Sequence, residues 1–182
     1  KTFTTGGKLL VCGNGGSAAD ADHIVGELMK GFENKRPFES SFGKRLEKIA
    51  PERGKDLAQK LQKGLPAISL TAHQALTSAI LNDIGGEAVY AQQVAGWGNR
   101  NDVLMGLSTS GNSVNVVNAL ITARAKGMKT IGLTGETGGE LKPFCDVLIA
   151  VPETRTAFVQ ELQQPVYHAI CLMVEEALFG QE

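Results

Sequence analysis

The chain has 182 residues, 42% of them hydrophobic and 20% charged, which fits one folded domain, residues 1–182, and excludes disorder as its overall state. Eighteen basic against nineteen acidic residues give a net charge of −1, so neither a nucleic-acid binder driven by bulk charge nor a polybasic membrane-surface protein is expected. No apolar run reaches the roughly 18 residues that span a bilayer, and no secretory leader opens the chain. Cys12, Cys145 and Cys171 have no CxxC spacing and read as reduced thiols of a cytoplasmic protein. The chain starts at Lys1 almost at once in a strand pattern, and a segment before it is expected.

In chain order, apolar runs alternate with helical patterns. Lys8–Gly13, Ala67–Thr71, Val103–Ser108, Thr130–Gly135 and Val147–Val151 are short and nearly continuous in apolar character, as in strands covered on both faces of a parallel sheet. Ser17–Lys30 reads as a helix with Ser17 as its N-cap. Gln74–Asn82 and Glu87–Trp97 form a broken helical pair, and Ser113–Lys126 stops at Gly127. A long last helix runs from about Arg155 to Phe179, with Pro165 expected to bend it. Residues 33–65 are rich in lysine, arginine and glutamate and read as a charged helical insertion, exposed on one face. With a helix expected between each pair of strands, the alternation predicts an α/β doubly wound sandwich.

Glycine is enriched: 22 residues, about 12% against a usual ~7%. Gly13-Asn14-Gly15-Gly16-Ser17 follows the first strand and opens the first helix. Its small residues let amides face an anion, or they form only a tight turn. It is neither a GxGxxG fingerprint nor a Walker loop. Ser108, Thr109, Ser110 and Ser113 cluster at the next such junction. Hydroxyls and orphan amides there hold a phosphate without arginine, whereas capping alone needs one hydroxyl. Thr134–Gly139 is a third junction or a glycine turn. Ligands of open α/β sheets bind where such loops gather.

His23 and Glu27 are spaced i,i+4 and share a helix face. Gln160 and His168 lie eight apart on the last helix, about 12 Å along its axis, so convergence needs the Pro165 bend or side-chain reach. The four suit a borderline metal such as zinc. Glu27 as base and His168 as acid would equally serve proton transfer, and histidines on mixed helix faces are also commonly structural. Asn82 and Asp83 precede Gly85-Gly86 and cap a helix or bind a polyol. His73 is a cap or a pocket-rim residue.

The segments Cys12–His23, Ser108–Ser113 and Thr134–Gly139 resemble the sugar isomerase (SIS) domain family, and within it the phosphoheptose isomerase branch. The resemblance covers nearly the whole chain outside 33–65. It implies a three-layer, flavodoxin-like sandwich around a five-stranded parallel sheet, usually a homotetramer with active sites between subunits. It implies substrate contacts at Asn14, Gly15, Gly16, Asn82, Asp83 and Gln160, and phosphate binding at Ser108, Thr109, Ser110 and Ser113. The family's metal site, zinc in characterised members, matches His23, Glu27, Gln160 and His168. Glu27 and His168 match its base and acid, with Glu27 also at the substrate. The implied reaction converts sedoheptulose 7-phosphate into D-glycero-D-manno-heptose 7-phosphate through an enediol.

Two positions depart from the pattern. Gln163 stands where many members have histidine, and the lysine-rich 33–65 stretch is absent from compact members. The family's N-terminal helix, which helps pack the tetramer, reads as truncated or as lying before Lys1. A different class of reading is a non-catalytic SIS module, either a phosphosugar sensor or a tetrameric scaffold for a replication-initiation protein. Retention of His23, Glu27, Gln160 and His168 favours the enzyme, because a scaffold does not need them.

Overall fold

The computed structural model describes residues 1–180. Five strands form one all-parallel sheet: β1 (Leu9–Cys12), β2 (Ala67–Ser69), β3 (Val103–Ser108), β4 (Lys129–Thr134) and β5 (Val147–Ala150), in the order β2-β1-β3-β4-β5. The two-residue period of a strand sends neighbours to opposite faces. Leu10, Cys12 and Leu104 pack on one side with Val94, Val116 and Leu120. Leu9, Val11, Met105 and Leu107 pack on the other with Ile24, Leu28, Tyr167 and Cys171. Both faces are covered, which is why the strands read as unbroken apolar runs. Each fully buried leucine, such as Leu10, Leu104, Leu107 or Leu133, stabilises the fold by about 1.5–3 kcal/mol.

One layer holds α1 (Gly16–Met29) and α7 (Thr156–Phe179), and the other α4 (Gln74–Asp83), α5 (Val89–Trp97) and α6 (Val114–Ala125). The chain leaves β1 for β2 on one side and returns to β3 on the other. The carboxyl ends of β1 and β3 therefore flank the crevice where α/β sheets bind ligands. At the opposite end Asp102 closes the sheet, accepting hydrogen bonds from Lys8 N (2.9 Å), Lys8 Nζ (2.6 Å) and Asn99 N (2.7 Å).

Three local expectations change. The N-cap of α1 is Gly15, at φ 57°, a conformation open to glycine and not to serine, so Ser17 is buried inside the first turn. Gly86–Ala88 is a separate 3-10 turn ahead of α5. Between β4 and β5 the helix is a 3-10 segment, Gly139–Phe144, with Pro143 inside it, too short and too interrupted for a stable α-helix. Pro165 sits within α7, which continues as one helix to Phe179. Pro165 and Glu161 are both exposed, so water can take up the carbonyl that proline's missing N–H leaves unbonded.

Residues 33–65 contain a helical hairpin, α2 (Ser40–Ile49) and α3 (Pro51–Lys60), closed at its base by a Pro37–Gln62 bridge. One charged residue of this stretch is not on the surface: Arg36 is buried. No helix among the described residues is long and apolar enough to cross a membrane.

Candidate active site

A cleft of about 570 Å³ opens at the carboxyl ends of β1 and β3, lined among others by Asn14, Thr77, Glu87, Tyr90, Ser113 and Asn115. Asn14 comes from the β1–α1 loop, and Asn115 from the first turn of α6. Their carboxamides pair reciprocally: Asn14 Nδ2 donates to Asn115 Oδ1 (2.9 Å), and Asn115 Nδ2 donates to Asn14 Oδ1 (3.0 Å). The Tyr90 hydroxyl reaches the same loop, at 2.5 Å from Gly13 O and 3.1 Å from Asn14 Oδ1. Burial pushes the Tyr90 phenol up to about 12, so it remains a donor at neutral pH.

The hydroxyl-rich loop follows β3. Ser113 occupies the N-cap of α6 but makes no capping hydrogen bond. Its Oγ lies 2.9 Å from Ser108 Oγ, and its carbonyl takes the Val116 and Val117 amides, so the serine leaves the Val114 and Asn115 amides uncapped. Ser110 Oγ accepts the Asn112 amide (3.2 Å). Thr109 O accepts Gly135 N (3.0 Å), and Gly111 O accepts Leu141 N (3.0 Å). Asn112 Oδ1 accepts Glu140 N (2.9 Å). The third junction, Thr134–Gly139, thus lies beside the hydroxyl loop, and it and the two residues after it brace that loop.

Facing helices α1 and α7 carry the titratable set. His23 Nε2 lies 3.2 Å from Glu27 Oε1, and Lys30 Nζ 3.0 Å from Glu27 Oε2. The His168 ring is 4.9 Å from the His23 ring, edge to face, and its Nε2 is buried without a hydrogen-bond partner. His23 Nδ1 is 3.0 Å from Tyr167 Oη, which donates to Asp20 Oδ1 (3.3 Å). Burial raises the Asp20 carboxyl, against the opposing pull of Tyr167 and His23.

Gln160 lies elsewhere on α7, against the β1–α1 loop. A Cβ on Gly16 would collide with its carboxamide, so Gly16 is there for close approach. His23 lies against both Glu27 and His168, while Gln160 lies against Gly16 at the start of α1. Asn82 and Asp83 end α4 and are exposed, with Asn82 Nδ2 donating to Asp83 Oδ1 (2.8 Å). They lie between the cleft residues Leu81 and Gly86 without lining the cleft, and neither caps the following helix. His73 is at the N-cap of α4 without a capping bond and stacks on Trp97 at 6.0 Å.

The donor chemistry suits zinc: an imidazole nitrogen facing a carboxylate oxygen, and a second, partnerless imidazole nitrogen nearby. Among the described residues, no three His, Cys, Asp or Glu side chains are already gathered as a metal-holding group.

The carboxyl end of α1 is tied to α7 by a buried ion pair. Arg36 Nη2 lies 2.7 Å from Glu175 Oε1, with side-chain exposures of 0% and 1%. Arg36 Nη1 donates to Leu28 O (2.8 Å). Glu175 accepts the amides of Phe32, Glu33 and Asn34 at 2.8–3.1 Å. Burial alone would raise the Glu175 carboxyl, but these amides and Arg36 outweigh it and hold it at about 2. Gln163 is fully buried, and neither of its amide atoms has a partner. Tyr90, Asn115, Tyr167, Arg36 and Glu175 lie outside the motifs, and Asp20 lies inside Cys12–His23 without an expected role. The sequence signals are their places near motif residues: Asp20 three before His23, Tyr167 next to His168, and Asn115 two after Ser113.

The SIS domain family profile matches residues 45–135. The phosphoheptose isomerase of Burkholderia pseudomallei (strain 1710b) is 41% identical over 181 residues, covering 100% of this chain and 79% of the relative. That of Roseiflexus sp. (strain RS-1) is 41% identical with the same coverage. Among solved structures, phosphoheptose isomerase GmhA from Neisseria gonorrhoeae superposes with a TM-score of 0.76 at 35% identity, covering 96% of this chain and 79% of that one. A full-length match at this identity, on the same five-stranded sheet, shows that the chain belongs to the SIS domain family and, within it, to the phosphoheptose isomerases.

Proposed function

We propose that the protein is an aldose–ketose isomerase converting sedoheptulose 7-phosphate into D-glycero-D-manno-heptose 7-phosphate. The observation that carries this reading is His23, set between α1 and α7 against Glu27 on its own helix and the His168 ring on the facing one. A base and a second proton carrier side by side are what enediol chemistry requires.

The hydroxyls of Ser108, Thr109, Ser110 and Ser113 and the uncapped amides of α6 take the phosphate. This fixes one end of the sugar and limits where the reacting carbons sit. Asn14, Gly15, Gly16 and Gln160 face the sugar at the cleft, with Asn82 and Asp83 at its rim. Glu27 removes a proton from C1 of the ketose while His168 delivers one to the carbonyl oxygen at C2, giving the enediol. Loss of the O1 proton and return of a proton to C2 complete the aldose, with no net change in protons. His23, Glu27, Gln160 and His168 would hold zinc, with Gln160 swinging from Gly16. When bound, the metal supplies a Lewis acid that polarises the carbonyl.

We infer a cytoplasmic homotetramer of one SIS domain per chain, with 33–65 as a charged insertion and active sites between subunits. Support comes from the free thiols of Cys12, Cys145 and Cys171 and from apolar side chains left in water on α1 and α7. Met29 is 50% and Met173 71% exposed.

The test is turnover of sedoheptulose 7-phosphate by zinc-supplemented protein, with the aldose detected by mass spectrometry after coupling to a heptose 7-phosphate kinase. Loss of turnover by at least about 100-fold is expected in Glu27→Gln and in His168→Ala. Full activity in either variant overturns the assignment of base and acid. Ligand binding without turnover in the parent protein would instead favour a phosphosugar sensor.

A further inference from the structure

The cleft contains two residues, Tyr90 and Asn115, to which the family pattern gives no role. The single proton of the Tyr90 hydroxyl is shared between Gly13 O and Asn14 Oδ1. Asn14 Oδ1 also accepts from Asn115 Nδ2. That oxygen is saturated and turned toward the protein, which fixes the orientation of the Asn14 amide. Each Nδ2 spends one proton on the other carboxamide and retains a second. Two N–H donors therefore stand side by side on the wall of a cleft that Thr77, Glu87 and, from the hydroxyl loop, Ser113 also line.

We infer that Asn115 is a second substrate-contacting carboxamide and that Tyr90 is the positioning residue that orients Asn14, and through it Asn115, toward the hydroxyl or carbonyl oxygens of a phosphorylated sugar. The inference rests on the isomerase reading for the identity of that sugar. The geometry separates this role from simple packing. Tyr90 is almost wholly buried, and its ring contributes to the core beside Val94 and Leu120, while only its hydroxyl touches the loop. Tyr90→Phe retains the ring and removes the bracket. Asn115 has a further link to the cleft's far wall, one turn along α6, where Asn118 Nδ2 donates to Glu87 O (3.0 Å). The first turn of α6 is thereby held against both walls.

The experiment is a double-mutant cycle read by titration calorimetry of the full chain with sedoheptulose 7-phosphate. Tyr90→Phe is expected to weaken binding about tenfold in the parent background. In the Asn14→Ala background it is expected to weaken it less than about twofold, because Tyr90 then has no amide to orient. Asn115→Asp conserves size and removes both donors, and is expected to cost about tenfold or more. An equal Tyr90→Phe factor in both backgrounds, or unchanged affinity, overturns the positioning role. Unchanged affinity in Asn115→Asp overturns the contact. Parent protein that binds without turnover removes the isomerase reading and leaves the cycle readable, whereas parent protein that binds nothing overturns both.

Discussion

At the carboxyl end of α1, Arg36 and Glu175 are buried and almost every polar atom they carry has a partner. At the amino end, Asn14 pairs with Asn115 and Ser108 with Ser113, yet the two carboxamides keep donors beside a cleft. Between the two ends, His168 Nε2 is buried and has no partner. A saturated polar cluster in the interior can only hold parts together, because any ligand would have to break bonds already made. An unsaturated one has capacity left for a ligand. The same helix pair thus separates holding from binding along its length, with α7 carrying His168 about two turns before Glu175.

Breaking the clamp gives the largest expected effect. Glu175→Ala would leave the Arg36 guanidinium buried and uncompensated, and would free the amides of Phe32, Glu33 and Asn34. Loss of one partner of a buried pair costs about 3–5 kcal/mol, which in a chain of this size lowers Tm by roughly 6–20 °C. Thermal unfolding of the variant checks this, and a shift below about 3 °C would show that the pair does not bear on stability. The same clamp has a pH signature. The Glu175 carboxyl is held at about 2 in the folded chain, against an ordinary 4.5. The unfolded state therefore binds the proton first as the medium acidifies. The stability that Glu175 contributes is complete above about 4.5 and disappears as pH falls toward 2. Urea midpoints measured across that window should drop more steeply for the parent protein than for Glu175→Gln.

How much of this was legible follows from how local each signal is. The five strands were readable because two covered faces make continuous apolar runs. The Gly13–Ser17 and Ser108–Ser113 loops were readable because their residues are contiguous. The start of α1 was misplaced at Ser17 because a serine there looks like a cap, and only the φ of Gly15 settles it. Arg36 read as one more charge in a charged stretch, since its partner is 139 residues away. The Tyr90–Asn14 and Tyr167–His23 contacts join residues 76 and 144 apart, and no periodicity encodes such a pairing. Eight residues of helix separate Gln160 from His168, and Gln160 sits beside Gly16, so a shared centre calls on side-chain reach. The Ser113 hydroxyl, legible as a cap or a ligand group, pairs with Ser108 and caps nothing.

Smaller, and located between the two ends, is the effect of Tyr167. Its hydroxyl bridges Asp20 Oδ1 and His23 Nδ1. An ionised carboxylate only accepts, so a Tyr167 proton given to Asp20 requires His23 Nδ1 to donate its own to Tyr167. The imidazole then presents a bare Nε2 beside Glu27 Oε1, two lone pairs 3.2 Å apart, an arrangement that favours a cation between them. Tyr167→Phe removes the bridge without changing the ring. Loss of such an outer partner lowers metal affinity by about 10–100-fold. Competition with a chromophoric chelator for zinc measures it, and Tm of the metal-free variant should move by less than about 4 °C. Asp20→Asn should act in the same direction and less strongly, since an amide oxygen still accepts from Tyr167 but without the charge that holds the proton there. Equal zinc affinity in the parent protein and in Tyr167→Phe would mean that His23 is oriented by its helix alone, and the middle of the α1–α7 face would then owe its geometry to the Arg36–Glu175 clamp.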